Sequence, residues 1–242
     1  MRVIYKGLGN SKVKKILYSY ISRIDDLKYY CDRCLKTERW GGSVPLMIID
    51  AAFTSIGLNY FTAVVPKVLK FKEDFVDKGI IKDVCDLVKF DYKKAFYIWK
   101  NKRSWHVIKE ISKYFCELKK EKGISDKEAL RLWAKNAKPE NLKSDPIGKI
   151  KGVGLITFEY LRMMGGVDTI MPDKIVKRVL NKIFEEAGLE KENDNLKFIE
   201  KVKKISEETG IRSIEMCWMT WLIQREGENL RIEKYKDIMD LI

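Results

Sequence analysis

The sequence predicts an all-α fold, and three observations carry the prediction. Apolar residues recur at three- and four-residue spacing through nearly every segment, the pattern of a helix with one buried face. No stretch shows the period-two alternation of a half-buried strand. No internal repeat, low-complexity tract or linker interrupts the pattern, and 242 residues suffice for one large domain or two small ones. With 45% hydrophobic and 34% charged residues, the composition is that of an ordinary globular chain and excludes a disordered one.

Residues 11–24 predict a basic amphipathic helix, with Val13, Ile16, Leu17 and Ile21 on one stripe. Residues 29–43 read as irregular and carry Trp40-Gly41-Gly42. Pro45 opens a long apolar segment that Gly57 divides into two helices. Residues 83–120 give at least two more. From Lys89 to Lys120 ten Lys/Arg and three Asp/Glu are interleaved with Phe90, Tyr92, Phe96, Tyr97, Trp99 and Trp105. Such a mixture can grip phosphates and stack on bases. An aromatic core stripe beside a solvated lysine face explains it better. Ser125 and Glu128 have the spacing of a capping box for a helix over 125–137. Helices over 145–151 and 154–164 flank Gly152-Val153-Gly154, and Gly165-Gly166 stops the second. A run through Thr169-Ile170-Met171 leads to Pro172-Asp173 and a helix ending at Gly188. Two further helices cover 193–210 and 214–225, the last with Cys217, Trp218, Trp221 and Leu222 as core.

The formal net charge is +13, which favours a polyanionic partner, nucleic acid above all. No run of 18 apolar residues offers a membrane span, and the first residues lack the apolar stretch of a secretory signal. The expected location is the cytoplasm, in association with the nucleoid. Five scattered cysteines, at 31, 34, 85, 116 and 217, are expected to be reduced thiols. Cys31-x-x-Cys34 is half of a metal site without its other half, since no second such pair exists and His106 is the only histidine.

One stretch, IKGVGLITFEYLRMMGGVDTIMPDKIVKRVL from Ile150, is more specific. A Gly-x-Gly turn at a helix start leaves amide N–H groups aimed at one point, a geometry suited to phosphate. Ile150-Lys151-Gly152-Val153-Gly154, the Gly165-Gly166 break, Asp173 and Arg178-Val179 occur in that order. In this the chain resembles the helix-hairpin-helix-GPD DNA glycosylases, the superfamily of endonuclease III and 3-methyladenine DNA glycosylase II. The resemblance implies two helical lobes flanking a cleft, approximately 1–45 with 173–242, and 46–172. The second lobe would contain the helix-hairpin-helix over 144–164. It implies that Lys151, Gly152, Val153 and Gly154 grip the backbone of double-stranded DNA. The carbonyls of Gly148, Ile150 and Val153 would hold a monovalent cation, K+ or Na+. It implies that Asp173 stands at the mouth of the base pocket. Relatives with an iron–sulfur cluster carry four C-terminal cysteines; Cys217 alone stands in that region, so no cluster is expected.

Breaking an N-glycosidic bond builds positive charge on the deoxyribose, and a fixed carboxylate stabilises it while orienting or deprotonating water. Asp173, ahead of a helix, can serve as N-cap and feel the positive helix end, which would keep it ionised. Bifunctional relatives carry a lysine nucleophile where this chain has Ile156, so hydrolysis by water without strand cleavage is expected. Ile156 then lines the base pocket, with Asp50 and Trp40 as further candidates; Tyr60 and Trp218 are other stacking faces. The expected protein is a monomeric base-excision-repair glycosylase needing no other cofactor. Two other readings stay open: a non-catalytic hairpin module that binds DNA, and a glycosylase/lyase using Lys149, Lys151 or Lys174. The lesion, whether alkylated, deaminated, mismatched or oxidised, is not specified by these residues.

Overall fold

The computed structural model describes residues 2–223 and 232–242, with side chains for 12–223 and 237–242. Among the described residues all regular structure is helical and no strand occurs. The α-helices are α1 (Arg2–Ile21), α2 (Leu27–Leu35), α3 (Val44–Thr54), α4 (Val65–Phe71), α5 (Val84–Lys89), α6 (Lys102–Lys122), α7 (Asp126–Asn136), α8 (Leu155–Met164), α9 (Lys174–Glu186), α10 (Asn195–Thr209), α11 (Ser213–Ile223) and α12 (Ile232–Leu241). Short 3-10 and π turns link several of them. No helix among the described residues is long and apolar enough to cross a membrane.

The chain divides into two compact units, one of residues 1–33 and 168–237, the other of 34–167 and 238–242. In the first, α1 packs on α9, α10 and α11. Val13 and Leu17 of α1 are fully buried, as are Leu180 and Phe184 of α9. The Asp168 carboxylate accepts from Ile214 N at 2.8 Å and Ser213 N at 3.3 Å, which starts α11. Arg212 just before it pairs with Asp32 at 2.5 Å and Glu215 at 2.9 Å.

The second unit is built around α3. Every residue from Val44 to Phe53 is buried, so this helix is buried all round and packs on α4, α6 and α8. The long α6 is capped by the Asn101 side chain and ended by Gly123 in the left-handed region. Trp105 on its inner face meets Phe53, and Phe53 stacks on Trp99 at 4.0 Å. Trp99 and Trp105 are thus core, whereas Tyr97 is exposed and donates to Asp74. Ser125 and Glu128 form the capping box of α7.

Several expectations are corrected. Residues 29–43 are not irregular throughout, because α2 reaches Leu35. Leu27, Tyr30, Cys31 and Cys34 fall on its buried stripe. No α-helix forms over 145–151; a series of turns takes its place. Asp145 caps Ile147 N and Gly148 N from within the segment, and Gly148 lies so close to Leu142 that a Cβ there would stand 2.0 Å from its carbonyl oxygen. The cysteines are not all thiols: Cys85 and Cys116 are disulfide-bonded, because α5 packs along α6 and brings their Cα atoms to 5.0 Å. The unit boundaries fall at 33/34, 167/168 and 237/238. Residues 34–45 go with α3, since Arg39 and Trp40 bind Asp50, and Asp168 goes with α11, which it caps. Residues 224 and 225 of the last expected helix lie outside the described residues.

Candidate functional site

The first unit fixes one carboxylate from three sides. Thr169, Ile170, Met171 and Pro172 are buried and deliver Asp173 to the N-cap of α9 in extended conformation. Its Oδ1 accepts from Ile175 N at 2.7 Å and Val176 N at 2.8 Å, while Oδ2 accepts from the Trp221 indole at 3.0 Å. Trp221 comes from α11 and is itself buried. The N-cap role expected of Asp173 is present. Burial raises the Asp173 carboxyl above the ordinary carboxylate value, outweighing the Val176 and Ile175 N–H groups, the indole and the Lys177 charge, which all lower it. Lys174 beside it is exposed.

The second unit holds the glycine turn. Ile150 N donates to Ile147 O at 3.1 Å and Val153 N to Ile150 O at 2.9 Å, closing two successive turns before α8. Of the three carbonyls expected around a cation, that of Ile150 therefore has one lone pair engaged and one left. Gly152 has φ +109°, and a Cβ there would stand 2.8 Å from Val107 of α6. The Arg103 guanidinium donates to Gly152 O at 3.3 Å. Gly154 differs. Its φ of −109° suits any residue, and a Cβ there would meet nothing within 4 Å. Neither local backbone nor packing requires glycine at 154. No side chain caps α8 at this point, and Ile156 sits half-buried in its first turn. Lys149 and Lys151 are exposed.

Asp50 and Trp40 meet in the interior of the second unit. Asp50 Oδ2 accepts from Trp40 Nε1 at 2.8 Å, Tyr160 OH at 2.8 Å, Tyr60 OH at 3.0 Å and Arg39 Nη2 at 3.4 Å. Oδ1 accepts from Thr54 at 3.3 Å. Asp50 is 0% exposed and Trp40 2%, so in this structure both are closed to a base. Tyr60 and Trp218 are buried as well. Burial would lower the Arg39 pKa, but Tyr160, Tyr60 and Asp50 raise it further, so it stays a cation. Burial pushes both tyrosine hydroxyls up, which keeps them donors. Trp40 has φ +53°, a left-handed conformation that costs a non-glycine residue about 1–3 kcal/mol. The Trp40–Asp50 bond offsets part of that. Nearby Cys34 is buried and its thiol is pushed up to about 12, so it is a neutral thiol and not a metal-ligating thiolate. Among the described residues no cluster of His, Cys, Asp and Glu is disposed to hold a metal ion.

Arg39, Tyr160, Trp221 and Arg103 contact the candidate residues Asp50, Asp173 and Gly152, and reading the sequence passes over them. Only Trp221 carried a signal, its place in an apolar run, and that signal says core. Comparison with protein-family models, curated proteins and solved structures finds no match for this chain.

Proposed function

We propose that this chain is a monofunctional DNA glycosylase, which flips a damaged or mismatched base out of duplex DNA and hydrolyses its N-glycosidic bond. The observation that carries the reading is the fixation of Asp173, a carboxylate held by two backbone N–H groups and an indole, with its pKa raised. A carboxylate that need not reorganise stabilises an oxocarbenium-like sugar most effectively. A raised pKa also makes it a better proton acceptor for the attacking water. Around the glycine turn, the open space over Gly154 and the uncapped start of α8 support backbone contact, with Lys151, Gly152, Val153 and Gly154 meeting a phosphate. The Gly148, Ile150 and Val153 carbonyls would hold a monovalent cation, which would add positive charge beside the turn. Ile156, apolar where a lysine nucleophile would stand, makes water the nucleophile.

A second reading has a specific observation in its favour. The three hydrogen bonds to Asp173 also account for it as a purely structural cap, and the chain would then be a DNA-binding module without chemistry. Base release separates the two. Duplexes holding single lesions and mismatches are incubated with wild type and Asp173→Asn, and the products resolved before and after hot alkali. Release by wild type that is lost in the variant, with nicks only after alkali, is expected. Binding without release across the panel would refute the enzyme. Nicks without alkali, trapped by borohydride, would assign a lyase to Lys149, Lys151 or Lys174.

A further inference from the structure

The second unit carries five exposed cations on two segments that touch. Lys149 and Lys151 lie just before the glycine turn, and Lys100, Lys102 and Arg103 surround the start of α6; all five are exposed. The two segments touch, since Arg103 donates to Gly152 O and Gly152 lies against Val107. None of the five takes part in an ion pair among the described residues. Elsewhere in the unit some lysines are paired, Lys70 with Glu73 and Asp74, Lys72 with Asp77 and Lys119 with Asp83 and Asp126, while others such as Lys93, Lys94 and Lys113 are not, so the patch is set apart by its contact with the glycine turn. The nearest carboxylate in the turn, Asp145, is committed to Trp133, Ile147 and Gly148.

The placement also runs against local preference. A helix start carries partial positive charge and favours acids, yet the first turn of α6 holds Lys102 and Arg103 and no acid. The charges repel one another and the helix end, and a polyanion relieves both. Local rules are broken in this way where binding needs it.

We propose that the start of α6, through Lys100, Lys102 and Arg103, is a second phosphate-binding segment. It would extend the footprint of the glycine turn along the backbone of duplex DNA. The inference rests on the DNA-binding reading of that turn and adds Arg103 as its bridge. Arg103 would hold the turn through Gly152 O while presenting its remaining N–H groups to the next phosphate.

The test is anisotropy titration of an undamaged labelled duplex with the full chain at several salt concentrations. It compares wild type, Lys100→Gln/Lys102→Gln/Arg103→Gln, Lys100→Gln/Lys102→Gln, Lys149→Gln/Lys151→Gln, and a charge-matched control, Lys197→Gln/Lys203→Gln/Lys204→Gln on α10. Each phosphate contact contributes roughly 0.9 to the slope of log K against log salt. The α6 triple variant should therefore lower the slope by roughly 2–3 and weaken binding about 100-fold at 0.1 M salt. The double variant, which keeps the Arg103–Gly152 bond, should lower it by roughly 2. Triple and double variants that match the α10 control overturn the inference. If Lys149→Gln/Lys151→Gln still weakens binding, the reading of the turn survives alone; if it too matches the control, both fail. Loss of an acidic peptide with the duplex retained would assign the patch to a protein partner and overturn the inference as well.

Discussion

Replacing Asp50 by asparagine keeps the outline of the side chain and removes its charge from the interior of the second unit. The amide oxygen can still receive Trp40, Tyr60 and Tyr160, now as neutral bonds in place of charge-assisted ones. Bonds to a charged acceptor contribute about 1 kcal/mol more than neutral ones, so three such bonds lose roughly 3 kcal/mol. Taking the carboxylate away from the buried Arg39 guanidinium gives a similar figure by a separate route. Breaking a buried pair from one side costs about 3–5 kcal/mol, and a contact of 3.4 Å belongs at the low end. These are two views of one loss and do not add. A destabilisation of about 3 kcal/mol corresponds to a melting temperature lower by roughly 6–12 °C for a chain of this size. Thermal and urea denaturation measure it directly. Arg39→Met on the Asp50→Asn background should recover part of the loss, because the uncompensated charge then disappears. A loss below about 1 kcal/mol in the single variant, or a double variant weaker than both singles, would refute the hub described here.

Asp173 must be ionised to act, so base release should fall as pH drops through a value above the ordinary carboxylate range. Trp221→Phe removes a donor that lowers this pKa and should move that limb to higher pH; an unmoved limb would dissociate Trp221 from the chemistry. The same raised pKa acts on folding with the opposite sense. Its stabilising contribution is present below the unfolded value and is lost as pH rises through the folded one, so the pH dependence of stability should flatten in Asp173→Asn. Cys85→Ser/Cys116→Ser opens a loop spanning 31 residues and should cost roughly 3–4 kcal/mol in urea denaturation; no change would mean the cross-link restrains nothing. Gly148→Ala and Gly154→Ala should part company. The first meets the Leu142 carbonyl and should lose about 1–3 kcal/mol, while the second leaves the melting temperature unchanged and weakens duplex binding.

What could be read from the sequence was local. The Ser125–Glu128 box and the Asp173 cap each reach two or three residues along the chain, and both are visible as spacing. The buried face of α3 is legible as an apolar run that only Asp50 interrupts. Hydrogen bonds that close across the fold leave no such mark. Trp221 lies 48 residues from Asp173, and Tyr160 lies 110 from Asp50, with nothing in either neighbourhood to name the other. α2 escaped notice because its stripe is made of Tyr30, Cys31 and Cys34, residues that suggest a metal or a surface before they suggest a core. The segment over 145–151 failed in the other direction. Helical spacing is present, but Asp145 satisfies the amides at 147 and 148 itself, and the contact at Gly148 tightens the chain into turns.

The state of the five cysteines bears on how the molecule can be observed. Cys85 and Cys116 are joined to each other, and Cys31, Cys34 and Cys217 are buried, so the folded protein offers no reactive thiol at its surface. A single cysteine placed at exposed Lys100 would then be the one group to take a fluorophore, without first stripping the native ones. Attached at the start of α6, such a dye would register the arrival of a duplex in real time, and its quenching could be followed through base release in the same cuvette.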